Sequence, residues 1–258
     1  MIRIDINWET YGWAAAIRGM RNPMNSWDKS DSWLSKYTDD GKGGFVLGNN
    51  DLKLAKKLCK AGNDHAKFRR MIHVGVDITA PLYWWKEFDT YKIGTVANSC
   101  STMHKIGEKE FTKEDFSIEH LGVHYMDIDD DTGEERTVFQ NLWIDKTFQE
   151  VLDGLNIARN FYLKTEDLDL KKKYWWQMIQ LLPTSYNQKR TIDINYQVLS
   201  NMYQARKDHK LDEWRDFCHW ITSLPYANGL IFDDDSLFMD IVNGTGDSAG
   251  HTALAPAT

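Results

Sequence analysis

The sequence predicts an α/β (α+β) fold, a mixed sheet flanked by helices. Three observations carry that expectation. The second half of the chain repeats apolar residues at helical spacing, and the first half contains short β-rich runs. The composition, 42% hydrophobic and 27% charged over 258 residues, is that of a globular protein. A chain of this length can bury a substantial core. The expected organisation is one domain over residues 1–226 and a tail over 227–258, acidic at first and then rich in small residues.

Taken in chain order, "NNDLKLAKKLCKAG" puts Leu52, Ala55, Leu58 and Cys59 at helical spacing, with Gly62 as the stop. "MIHVGVDI" has the composition of a strand. In "TAPLYWWKEFDTYK", Thr79 is the candidate N-cap of a helix and Pro81 falls in its first turn, where a missing N–H is tolerated. "LGVHYMDIDDDTGEERTVF" places a turn-like Asp-Thr-Gly between two extended segments. Helices are expected over 146–163, 167–182, 195–206 and 211–223, the second ending before Pro183 and the last before Pro225. In the tail, Asp233, Asp234 and Asp235 read as a solvated charge run, with a cation site as the alternative. An isolated tail of this kind is mobile unless it rests on the body or on a neighbour.

Net charge is −7 and the pI about 5.6, so no global attraction for nucleic acid exists and no duplex partner is expected. Three cysteines, Cys59, Cys100 and Cys218, lie far apart without a C-x-x-C pair. That argues against a structural zinc site and a disulfide framework, and no metal is expected. With no signal-peptide core and no apolar run near 18 residues, a cytoplasmic protein without membrane contact is expected. Eleven tryptophans suit a large core or an oligomer interface, with stacking on bases or cofactors as the alternative.

"LLPTSYNQKRTIDINYQVLSNMYQAR", residues 181–206, is the most informative stretch. A Leu-Pro leads through a polar connector into a helical run. On that helix Asn195, Leu199, Met202 and Arg206 share one side, beside a polar strip of Gln197, Asn201 and Gln204. The spacing fits an ordinary amphipathic helix with polar ends. It also fits a helix whose arginine meets an anion or a pyrimidine carbonyl, since a buried guanidinium needs a partner.

Leu182-Pro183, Asn195 twelve positions past the proline, Asn201 six further on and Arg206 eleven past Asn195 resemble the C-terminal motif region of flavin-dependent thymidylate synthases. Upstream, "APLYWWKEFDTYKIGTVANSCS" resembles the segment that carries this family's Arg-His-Arg-x7-Ser signature. The triplet falls here on Thr90-Tyr91-Lys92, and its serine on Cys100, or on Ser101 with one inserted residue. The glutamate before that serine is absent. Lys86 and Glu87 stand where the family often has Arg and Gln, and Ile179 where it has an arginine. His65 and Phe68 form a His-x-x-Phe element like the family's flavin-contacting histidine. The likeness spans roughly residues 50–224 and implies the family's fold.

The resemblance implies one-carbon transfer to a dUMP-like pyrimidine nucleotide, with FAD as cofactor and NADPH and methylenetetrahydrofolate as co-substrates. It also implies a homotetramer with shared active sites. By position, Arg206 and Lys92 are the implied catalytic groups. Arg206, Lys86, Glu87, Cys100 and Ser101 are implied at the nucleotide, and His65, Tyr91, Lys92, Asn195, Gln197 and Asn201 at the flavin. Such a site must stabilise charge on a phosphate and on uracil oxygens, which suits Arg and Lys. No enzyme nucleophile is required, so Cys100 is either a small residue in its turn or a thiol activated by Lys92. The altered triplet leaves two other readings open: a nucleotide-binding protein without catalysis, and a structural protein.

Overall fold

The computed structural model describes residues 1–35, 44–121, 123–128, 132–133, 135–140 and 142–233. In chain order these form β1 (Arg3–Ile4), β2 (Glu9–Tyr11), α1 (Trp13–Arg21), β3 (Trp33–Ser35), β4 (Gly44–Val46) and α2 (Asn49–Lys60). Then come β5 (His73–Pro81), α3 (Leu82–Phe88), β6 (Thr95–Ser99), α4 (Thr102–Lys105), β7 (Val123–Ile128) and β8 (Glu135–Gln140). The remainder is α5 (Leu142–Lys164), α6 (Leu168–Leu181), β9 (Asn187–Asn195), α7 (Tyr196–Arg206), α8 (Asp212–Thr222) and a short turn over Ala227–Leu230.

The central sheet has the order β1–β5–β9–β6, with β2 pairing further along the same edge of β5 as β1. Its axis is the nine-residue register of β5 with β9, from His73 opposite Asn195 to Pro81 opposite Asn187. The α+β class holds, and the central ladders are all antiparallel. Along β5, Val74, Val76, Ile78 and Ala80 are buried while His73, Gly75, Asp77 and Thr79 stay part-exposed. On β9 Ile192 and Ile194 join the buried face. This two-residue alternation marks a sheet with one packed face.

Helices cover that face. Ala16, Ile17 and Met20 of α1, Leu199 and Met202 of α7, and Phe217 and Ile221 of α8 fill the main core with four tryptophans, Trp13, Trp84, Trp85 and Trp214. Trp84 touches Trp85, Phe88, Trp214 and Phe217 at ring-centroid distances of 4.8–5.5 Å. The core reading of the tryptophans therefore holds for these four. A second cluster, with Phe111, Phe116, Phe148, Leu155 and Met178, lies under the α5–α6 hairpin.

The expected helices are present, within a few residues of their expected ends. Ala55 of α2 is fully buried, and Gly62 follows the helix end with φ +105°. The two extended segments around Asp-Thr-Gly pair as β7 and β8.

Two local expectations are corrected. Thr79 is no N-cap: it pairs with Lys189 and Arg3 inside β5, and Pro81 occupies the cap position of α3. The first amides of α3 donate instead to the carbonyls of Tyr186 and Thr184, both at 3.0 Å, so a neighbouring strand end replaces the side-chain cap. The polar connector before Asn195 is β9, the strand between β5 and β6. Its Ile192 and Ile194 alternate with Thr191 and Asp193, a half-buried strand pattern masked by the surrounding charge.

The core continues past residue 226, with Leu230, Ile231 and Phe232 all buried. Asp233 pairs with Lys60 at 2.9 Å. The remaining acidic run and the small-residue tail lie outside the described residues.

Candidate functional site

Helix α7 organises the site. Asn195 is its N-cap: Oδ1 accepts from the Val198 N–H at 3.0 Å, and Nδ2 donates to the Gly94 carbonyl at 3.4 Å. The cap satisfies an amide at the helix start that would otherwise lack a partner, and locks that end to the α3–β6 loop. Gly94 has φ +86°, and a Cβ there would lie 2.4 Å from Asn195 Nδ2, so the close approach requires glycine.

Two residues on, Gln197 is 6% exposed. Its Nε2 donates to Asn201 Oδ1 at 3.1 Å and to Asn63 Oδ1 at 3.2 Å. The polar strip read from the sequence is thus a hydrogen-bonded i, i+4 pair. Gln197 Oε1 accepts from Arg69 Nη2 at 2.9 Å. Arg69 also donates to Asn63 Oδ1, Ser200 Oγ and the Leu230 carbonyl, at 2.9–3.0 Å. This buried guanidinium is held by neutral oxygens and has no carboxylate partner among the described residues. Burial lowers its pKa. Only the tertiary contact places Arg69 under Gln197.

At the far end, Arg206 finds its partner inside the chain. Nη1 donates to Glu87 Oε2 at 2.7 Å and Nε to the Tyr91 hydroxyl at 3.1 Å. Its guanidinium lies 4.8 Å from the Trp214 ring centroid, in cation–π range. The Trp214 indole N–H donates to the same Glu87 oxygen at 2.9 Å. The buried-stripe arginine is therefore neutralised by a carboxylate from α3. Glu87 and Tyr91 reach one end of α7 and Gly94 the other, so the segment 87–94 spans the length of the helix.

The other candidate residues divide by place. Lys86 and Lys92 are exposed cations without a partner among the described residues. His65 is exposed, its backbone N–H bonded to the Gly62 carbonyl at 3.0 Å, on the loop that sends Asn63 to Gln197. Phe68 is buried. Cys100 is exposed and extends the β6–β9 pairing through its N–H to the Lys189 carbonyl at 2.9 Å. Ser101 caps α4 by accepting from the His104 N–H at 3.2 Å. From Thr95, beside the α7 start, to Cys100 the strand runs about 17 Å at ~3.3 Å per residue. One chain therefore brings Tyr91 and Glu87 to Asn195, Gln197, Asn201 and Arg206 of α7, with His65, Lys86 and Lys92 on the adjoining segments, but not Cys100 and Ser101. Ile179, where the family has an arginine, packs on the second core.

Cavities of about 370 and 330 Å³ open elsewhere, one between α5 and α6 and one beside α1. Neither has a lining residue in this cluster. Among the described residues no group of three His, Cys, Asp or Glu side chains could hold a metal, and no helix is long and apolar enough to cross a membrane.

No family profile matches this chain, and no curated protein sequence matches it significantly. Its fold is similar to that of the flavin-dependent thymidylate synthase ThyX from Helicobacter pylori, crystallised with FAD and dUMP. The TM-score is 0.55 at 18% identity, over 90% of this chain and 98% of that one. A second Helicobacter pylori ThyX structure with FAD and dUMP gives 0.55 at 17% identity, over 90% and 97%. At such identity the likeness establishes the fold: this chain has a ThyX-like α+β architecture.

Proposed function

We propose that this protein transfers a one-carbon unit to a dUMP-like pyrimidine deoxynucleotide, using FAD, NADPH and methylenetetrahydrofolate. The observation that carries this reading is the convergence on α7 of the 62–69 loop and the 86–94 segment, on a fold shared with proteins crystallised with FAD and dUMP. Bound reduced flavin would supply the hydride. The side chains present suit such a guest in part: the exposed Asn201 amide offers donors to a ring edge, Tyr91 offers an aromatic face, and Lys86 and Lys92 offer unpaired charge to phosphates.

In this proposal Arg206 and Lys92 hold and polarise the nucleotide, with Lys86 on its phosphate. Glu87 acts as a gate, because Arg206 must exchange this carboxylate for the ligand. His65, Asn195, Gln197 and Asn201 position the flavin, Asn195 by fixing the helix start. Cys100 and Ser101 reach the nucleotide only from another copy, so the working form is a homo-oligomer, and we propose a tetramer. Ile93, 92% exposed, and Val96, 71% exposed, supply apolar surface for that contact.

The decisive experiment is the visible absorbance spectrum of purified protein with and without added FAD, followed by tritium release from 5-tritiated dUMP with NADPH and methylenetetrahydrofolate. Flavin uptake and release of label are expected. A colourless protein that takes up no FAD and leaves dUMP unaltered refutes the proposal, and a strictly monomeric sedimentation profile refutes the shared site.

A second reading, nucleotide binding without catalysis, is favoured by the Glu87–Arg206 ion pair and by Thr90-Tyr91-Lys92 in place of Arg-His-Arg, which removes up to two cationic side chains. Each lost charge-assisted bond costs about 1.5–3 kcal/mol. Thermal stabilisation by dUMP but not by FAD supports this reading over the first.

A further inference from the structure

Away from α7, the cleft of about 330 Å³ opens between α1 and the β3–β4 ribbon. Its size lies within the ~300–1,000 Å³ of small-molecule sites. Trp27 and Trp33 border it, 49% and 56% exposed. The Trp27 indole N–H donates to Asn22 Oδ1 at 2.8 Å, which fixes the ring at the cleft rim. Trp33 is held in the ribbon opposite Val46. Buried Ile17 contributes apolar lining between them.

The same cleft is lined by two arginines. Arg18 is exposed and has no partner among the described residues. Arg21 is only 3% exposed. Its Nε donates to Asp51 Oδ1 at 2.5 Å and its Nη1 to the Ser26 carbonyl at 3.1 Å. Its Nη2 takes no partner among the described residues. Asp51 is itself immobilised: Oδ2 accepts from the Ser30 and Ser32 hydroxyls at 2.7 and 2.6 Å and from the Asp31 and Ser32 N–H groups, both at 3.1 Å. The guanidinium is thus aimed by a rigid carboxylate, with both N–H groups of Nη2 left over. Asp51 balances Arg21, so the net positive charge comes from Arg18.

Exposed indoles beside a preset guanidinium fit a ring that stacks and an anion that bonds. The net charge of −7 disfavours a polyanion but not a small one. We infer that this cleft binds a mononucleotide, its base against Trp27 and Trp33 and its phosphate on Arg18 and Nη2 of Arg21.

The test uses dAMP in equilibrium dialysis against the full chain carrying Arg206→Ala, so that the α7 cluster and the cleft are read separately. One equivalent of dAMP is expected to bind. Trp33→Ala and Arg18→Ala, both at exposed positions, each weaken binding about tenfold or more, and Trp33→Phe restores it to within about threefold. Deoxyadenosine, lacking the phosphate, binds about tenfold less tightly than dAMP. The inference is overturned if dAMP does not bind at millimolar concentration. It is also overturned if the two alanine variants bind as the parent does, or if deoxyadenosine matches dAMP. Tighter binding of a short single-stranded oligonucleotide than of dAMP overturns the mononucleotide assignment in favour of a strand.

Discussion

Glu87→Gln isolates the feature that most separates this chain from an open nucleotide site. Arg206 and Glu87 lie 2.7 Å apart, with side chains 20% and 36% exposed. An ion pair this accessible contributes only about 0.5–1 kcal/mol to stability, since solvent screens it. Its effect on an incoming anion is larger. A unit charge about 6 Å from the Glu87 carboxylate is repelled by about 3 kcal/mol at an effective dielectric constant near 20. Salt with a screening length of about 8 Å reduces that to roughly 1.3 kcal/mol. Glutamine removes the charge and still offers an amide oxygen to the Trp214 indole N–H. The expected outcome is dUMP affinity raised about tenfold, with Tm lowered by no more than about 2–4 °C. Titration calorimetry with dUMP at 150 mM salt measures the first and calorimetric unfolding the second. Affinity unchanged within threefold in Glu87→Gln refutes the reasoning, as does wild-type affinity in Arg206→Ala.

Three further outcomes are expected. Asp51→Asn leaves Arg21, whose side chain is 4% exposed, without its counter-charge, a loss of about 3–5 kcal/mol. Tm should fall by roughly 6–20 °C. Burial alone would raise the Asp51 pKa, but hydrogen bonds from Ser32, Ser30 and Arg21 and the Arg21 charge hold it below 3.8. Its stabilisation is therefore complete above that pH and disappears as the pH falls through the lowered value. Acid unfolding of the variant should be less steep, and an identical acid profile contradicts this. Gly94→Ala pushes a methyl group into Asn195 Nδ2 at a positive φ; losing the cap costs about 1 kcal/mol, so both Tm and flavin uptake should drop, and a variant matching wild type in both refutes the positioning role. Burial raises the Cys59 thiol to about 11 and the Cys218 thiol to about 12, while Cys100 is exposed. A disulfide reagent at pH 8 should label one thiol per chain quickly, at Cys100, and two fast thiols contradict this.

Local rules made much of the second half legible. Helices α5, α6, α7 and α8 follow from apolar spacing with Pro183 and Pro225 as stops, because an amphipathic helix is specified within its own segment. The strand character of residues 73–78 and the β7–β8 hairpin were readable for the same reason. The Asn195–Asn201–Arg206 spacing pointed to one helix carrying two amides and a guanidinium, and the polar strip through Gln197 was correctly placed. Strand β9 was not read, although Ile192 and Ile194 alternate with polar residues. Its charged positions suit a connector equally well, and only pairing with both β5 and β6 makes it a strand. In the first 35 residues helix α1 was not read, and the strands there are two or three residues long and exist only as partners of β5 or β4.

What sequence determined, then, is composition, class and the order of chemistry-bearing residues along each helix, because these depend on neighbours a few positions apart. Tertiary structure alone decided which charges meet. Arg206 pairs with a residue 119 positions away, Arg69 with Gln197 over 128, and Arg21 with Asp51 over 30. Contacts at such separations are set by how sheet and helices stack. No local pattern announces that Glu87 occupies the Arg206 guanidinium.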